Sequence, residues 1–217
     1  MLSEKYVSIQ QIGSGVYTGG TIRSIQMPPN WIPESHQSFA LGQRSIAAYR
    51  PPDDDKTEIC LFYRGLPMYS TESTTIFRAY LQLGDQVIFS ETDKTHAYQY
   101  IDYQGRRALQ AAVELSEVLG NASNNQLFDP DSKGLHIQLA EVMRVNGNPV
   151  LSIKGWYHDR ETDLRGGEVW NIFIDGSPSD DLCAVLEVYV IAPGKELFDE
   201  YSAVFQTTLN SIEWQTT

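Results

Sequence analysis

The chain ends on a strand, a turn, a helix and a short tail, and that order leaves few folds open. Leu182–Ile191 is an apolar run of strand length, stopped by Ala192-Pro193-Gly194. Proline lacks a ladder donor and glycine allows the turn. From Lys195 to Leu209, the residues Leu197, Phe198, Tyr201, Val204, Phe205 and Leu209, continued by Ile212, recur at three- and four-residue spacing. They make one apolar stripe on a helix, with Glu200, Ser202, Gln206 and Asn210 on its wet side. Such a stripe needs a surface to bury it. The closing Ser211-Ile212-Glu213-Trp214 is strand-like.

The strands just upstream supply that surface. Leu135, Ile137 and Leu139 alternate with His136, Gln138 and Ala140, and the run continues through Val145 to Asn146-Gly147. Both of these residues tolerate positive φ, so the pair marks a hairpin. The return strand is Pro149–Tyr157, followed by Glu168–Asp175 and Leu182–Ile191, with turn-rich stretches between them. Four strands with short connections read as an antiparallel meander. Helical patterns flank it, so the expected class is α+β: an α/β/α sandwich with a central, mostly antiparallel sheet and flanking helices.

The first half is less regular. Ile22–Met27, Arg44–Tyr49 and Glu58–Arg64 read as strands, and Val87–Ser90 is a short apolar run. Ile76, Phe77, Tyr80 and Leu81 mark a helix over about 72–83. Leu109, Ala112, Val113 and Ser116 mark another over Arg107–Leu119, stopped by Gly120-Asn121. Residues 1–20 are polar and glycine-rich, and are expected to be a flexible lead. No repeat, low-complexity tract or linker divides the 217 residues, so a single domain over 1–217 is expected.

A formal net charge of −12 argues against nucleic acid, which needs a basic face, and against an anionic membrane surface. No stretch approaches the roughly 20 apolar residues of a membrane span. The start of the chain lacks a basic, apolar secretory signal, which points to the cytoplasm, although a leader removed earlier would leave the same start. Cys60 and Cys183 lie in apolar runs and are read as buried free thiols.

Motifs that could carry chemistry fall short. Gly13-Ser14-Gly15 with Gly19-Gly20 lacks the Lys and Ser/Thr of a phosphate loop. His158-Asp159 with Glu161 and Asp163 offers metal-type donors, but Arg160 and Arg165 oppose a cation. Asp53-Asp54-Asp55 lacks calcium-loop spacing, and Asp180-Asp181 reads as a turn. None of His36, His96, His136 and His158 sits in a nucleophile motif. No catalytic residue, cofactor or metal is therefore assigned. A hydrolase using scattered carboxylates or His158 is the rival reading, because sequence does not show which acids converge.

The order "IRSIQMPPNW", "TEICLFYRG", helices, "AEVMRVNGNPVLSIKGWYHD", "GEVWNIFID" and "LCAVLEVYVIAPGKELFDEYSAVFQTTLNSIEW" resembles the PsbP-like fold family. That family is shared by PsbP, the Ran-binding nuclear-import regulator and type VI secretion chaperones. The resemblance is carried mainly by residues 135–217. It implies an antiparallel sheet between helical layers and a non-enzymatic role, as a binding or assembly factor or as a chaperone or adaptor for a secreted or membrane client. This chain is longer than a minimal member, with insertions expected near 34–55 and 84–108. A protein partner of unspecified identity follows. Its candidate anchors are Trp156 and Trp170, on a sheet face that is either a groove or core. Phe173 lies an odd number of residues from Trp170, so the two face opposite ways on an unbulged strand. Tyr98, Tyr100 and Tyr103 beside Arg106 and Arg107 are a second aromatic group, read as a contact patch or as one face of a strand.

Overall fold

The structure, a computed structural model, describes residues 9–35, 44–63, 71–90, 135–158, 165–178 and 181–216. Within them lie twelve strands: β1 (Ile9–Ile12), β2 (Val16–Gly19), β3 (Ile22–Gln26), β4 (Ile32–Pro33), β5 (Arg44–Arg50), β6 (Glu58–Tyr63), β7 (Gln86–Ser90), β8 (Leu135–Val145), β9 (Asn148–His158), β10 (Arg165–Asp175), β11 (Val185–Ala192) and β12 (Glu213–Trp214). Two helices accompany them, α1 (Thr71–Leu81) and α2 (Lys195–Asn210). The class is α+β, dominated by antiparallel sheet.

The meander forms as its pattern requires. β8, β9, β10 and β11 are consecutive neighbours in an eight-stranded sheet of order β4-β5-β6-β11-β10-β9-β8-β7. The β8–β9 hairpin turns on Asn146 (φ 48) and Gly147 (φ 89), both in the left-handed region that a two-residue turn uses. The β10–β11 connection needs a glycine for another reason: a Cβ at Gly176 would lie 2.6 Å from the Ala184 carbonyl oxygen.

Strand parity sorts the core. Trp170, Ile172 and Ile174 of β10 share one face with Leu186, Val188 and Val190 of β11 and with Ile59 and Leu61 of β6. Phe205 and Leu209 of α2 cover that face, and all of these side chains are buried. Phe173 points the other way, into a cluster with Leu151, Ile153, Phe77 and Leu81, the last two from α1. The two helices thus pack on opposite faces of the large sheet. The expected Arg107–Leu119 helix lies outside the described residues.

A second sheet, of order β1-β2-β3-β12, corrects one expectation. Residues 1–20 are not a flexible lead throughout: from Ile9 to Gly19 they form the β1–β2 hairpin, in continuous register from Ile9↔Gly19 to Ile12↔Val16. Tyr17, Ile22, Ile25 and Met27 of this sheet are buried in the same cluster as Phe205. The layer containing α2 is therefore part helix and part sheet. Within the stretch 34–55, β5 lies inside the large sheet between β4 and β6. Of 84–108, β7 is an edge strand, and the rest lies outside the described residues beyond Ser90.

The tail clips the two sheets together. The Ser211 hydroxyl accepts from the Gln26 amide at 2.9 Å and donates to the Thr208 carbonyl at 2.6 Å. Ile212 is buried. Glu213 accepts from the Ser24 hydroxyl at 3.1 Å, and Trp214 Nε1 donates to the Val145 carbonyl at 2.7 Å. Asn146 Nδ2 returns the tie by donating to the carbonyls of Ile212 (2.7 Å) and Asn210 (3.0 Å). The amides of Ser211 and Ile212 take the carbonyls of Thr207, Thr208 and Leu209 at the end of α2, and the β8–β9 turn takes that of Asn210.

Candidate functional site

Trp156 and Trp170 lie on one face of the large sheet, and α2 separates their roles. In register, Trp170 opposes Lys154, and Trp156 opposes Glu168 on β10 and His136 on β8. Opposed residues share a face, and Lys154 and Trp156 are two apart on β9, so Trp170, Lys154, Trp156 and Glu168 point to the side that carries α2. The helix packs over β10, β11 and β3. Trp170, on β10, is beneath it. Its ring meets Phe205 edge to face at 5.1 Å between centroids, and its Nε1 donates to Ser152 Oγ at 2.9 Å. Only 6% of the residue is exposed. Trp170 is core, which corrects its candidacy as a groove anchor: the helix stripe that the sequence predicts needs a flat aromatic surface, and Trp170 supplies it. Trp156, one strand further out, is half-buried.

Lys154 joins the two. Its Nζ sits 3.8 Å from the Trp170 ring centroid, a cation–π contact. Burial pushes its ammonium below the usual lysine value, against the opposing pull of Glu141. Glu168, at the same end of the face, is buried.

A second cluster sits where α1 meets the end of β10. Arg78 donates from Nε to Asp175 Oδ2 at 2.8 Å and from Nη2 to the Ser177 carbonyl at 2.8 Å. The Cys183 thiol donates to Asp175 Oδ1 at 3.2 Å, and the Cys183 amide donates to Thr74 Oγ1 at 3.1 Å. Burial and then the Asp175 charge push this thiol far above its usual value, which makes it a poor nucleophile. Arg78 and Asp175 also line a cavity of about 270 Å³, with Leu81, Ile174, Pro149 and Trp214 among its walls. Both charges are bound to each other, so they hold α1 on the sheet. No local pattern hints at this pairing, because 97 positions separate the two residues.

The remaining candidates are structural or lie out of view. Asp54 accepts from the Lys56 amide at 2.8 Å and from the Thr57 hydroxyl, which closes a turn. Cys60 and Cys183 are both buried thiols that form no disulfide, as expected. The Glu58 carboxylate accepts from Tyr189 at 2.6 Å, and burial, the largest influence, raises its pKa. His36, His96, Asp159, Arg160, Glu161, Asp163, Asp180 and the Tyr98–Arg107 patch lie outside the described residues, as do the side chains of His136 and His158. Among the described residues, no three His, Cys, Asp or Glu side chains gather as metal ligands, and no helix is long and apolar enough to cross a membrane.

Compared with known proteins, the chain matches no family model and no curated protein.

Proposed function

We propose that this chain is a non-catalytic protein-binding or assembly factor, a single-domain α/β/α sandwich of the PsbP-like kind that acts on a protein partner in the cytoplasm. A chaperone or adaptor for a secreted or membrane client is the same reading with a narrower client. The supporting observation is the placement of Trp156. It stands half-buried on β9, one strand beyond the strands that α2 covers, with Lys154 and Glu168 beside it. A rigid, amphipathic aromatic ring is the kind of side chain that anchors a recognition surface. The buried polar groups elsewhere serve the fold: Arg78 with Asp175 and Cys183, and Glu58 with Tyr189.

The test compares wild type with Trp156→Ala, each immobilised and exposed to extract from the cell of origin. The expected result is a protein retained by wild type, lost by the variant, with the two melting temperatures equal within error. Equal retention by both moves the surface away from Trp156. Reproducible turnover in a hydrolase substrate screen, abolished by replacing one carboxylate or His158, overturns the non-catalytic reading.

A further inference from the structure

Among the described residues, three of the four outer strands are blunted, and the fourth is not. On the large sheet, β4 has two residues and ends on Pro33, while β7 carries a register shift between Val87 and Phe89. On the small sheet, β12 has two residues, one of them the charged Glu213, and a register shift of its own. Proline, charge, irregular register and short length are the devices by which sheet edges avoid other chains. β1 is four residues long and has neither proline, charge nor register shift. Gln10, Gln11 and Ile12 are exposed, and Ile12, at 57%, is the most exposed large hydrophobic side chain among the described residues.

Charge selects the occupant. From Tyr6 to Ile22 no side chain is charged, the longest such run in a chain whose net charge is −12. A second copy of so acidic a chain is repelled by most of the surface, but not by this hairpin. A basic partner, which the net charge would attract elsewhere, finds no carboxylate on it.

We infer that β1 is a homodimer seam. Two copies pair their β1 strands antiparallel about a two-fold axis, and the two four-stranded sheets run on as one of eight. The contact is isologous: each copy uses the same edge, so the assembly closes at two and does not grow into a filament. Four residues a side fall short of the roughly 1,200 Å² of a standard interface, so the dimer is weak and depends on concentration.

Analytical ultracentrifugation across a concentration series tests this on the full chain. The expected result is a shift from 24.5 kDa toward twice that mass as concentration rises. Ile12→Lys and Gln10→Lys each place two like charges across the seam, and each should weaken the dimer about tenfold or more. Both positions are exposed, so the melting temperature measured on dilute monomer should not change. A wild type that stays monomeric throughout overturns the inference. So does a dimer indifferent to both lysines, or a monomeric wild type whose β1 instead captures an extended peptide of another protein.

Discussion

Replacing Trp170 with alanine measures how much of this fold rests on one indole. The ring fills the space beneath Phe205 at 5.1 Å, so its removal leaves a cavity under α2. Large-to-small changes of this kind cost about 3–5 kcal/mol. Ser152 is fully buried and loses the hydrogen bond it accepts from Trp170 Nε1, which adds about 1–3 kcal/mol. Lys154 also loses a cation–π contact worth about 0.5–1 kcal/mol, in part offset because its head gains water. The sum, about 4–8 kcal/mol with the lysine contribution offset, is of the order of half the stability of an ordinary domain. Urea unfolding followed by circular dichroism reads it as a fall in midpoint. Trp170→Phe separates the components: it keeps most of the packing and should lose only the hydrogen-bond share, about 1–3 kcal/mol. Ser152→Ala should cost about 1 kcal/mol in wild type and close to nothing in the Trp170→Ala background, since the bond is already gone. A Trp170→Ala loss below about 2 kcal/mol, or an equal Ser152→Ala cost in both backgrounds, would refute the assignment of this residue to the core.

Two further outcomes follow from the clip and from the buried carboxyl. Asn146→Ala should cost more than Asn146→Gly: both lose the bonds to Ile212 and Asn210, but only alanine also opposes φ 48, by about 1–2 kcal/mol. Faster amide exchange at the end of α2 in both variants checks the tie, and equal stabilities of the two would sink the backbone argument. Glu58 has a folded pKa raised above its ordinary 4.5 by burial, so the folded state holds its proton longer than the unfolded chain does. Its contribution is fully present below about pH 4.5 and is lost as pH rises through the folded value. Glu58→Gln, which can still accept from Tyr189, should therefore be more stable than wild type at pH 7 and should flatten that slope; a wild-type slope kept in the variant assigns it to another group.

The elements read correctly from the sequence are those set by neighbours in the chain. The Asn146-Gly147 turn, the β9, β10 and β11 alternation and the α2 stripe each depend on residues a few positions apart. The boundaries fell close: Lys195–Asn210 forms where Lys195–Leu209 was expected. The opposition of Trp170 and Phe173 followed from parity alone. The β1–β2 hairpin was missed because Gly13-Ser14-Gly15 reads as flexible, whereas Gly13 (φ 67) and Gly15 (φ 80) occupy the conformations of its loop. Nor does any local pattern show that β12 pairs with β3 or that β6 docks on β11, since those partners are far apart in sequence.

For the candidate site the division is the same. Sequence placed Trp156 and Trp170 on strands and made both large, amphipathic candidates for contact. Only the path of α2 over β10 and β11 decided that Trp170 is buried and that Trp156 lies beyond the helix. Hydrophobic period and turn chemistry are local properties, so a sequence states them outright. Which ring a helix covers, and that Asp175 meets Arg78 and Cys183, is set by how separate elements pack, and the energies that fix it arise between residues the chain keeps far apart.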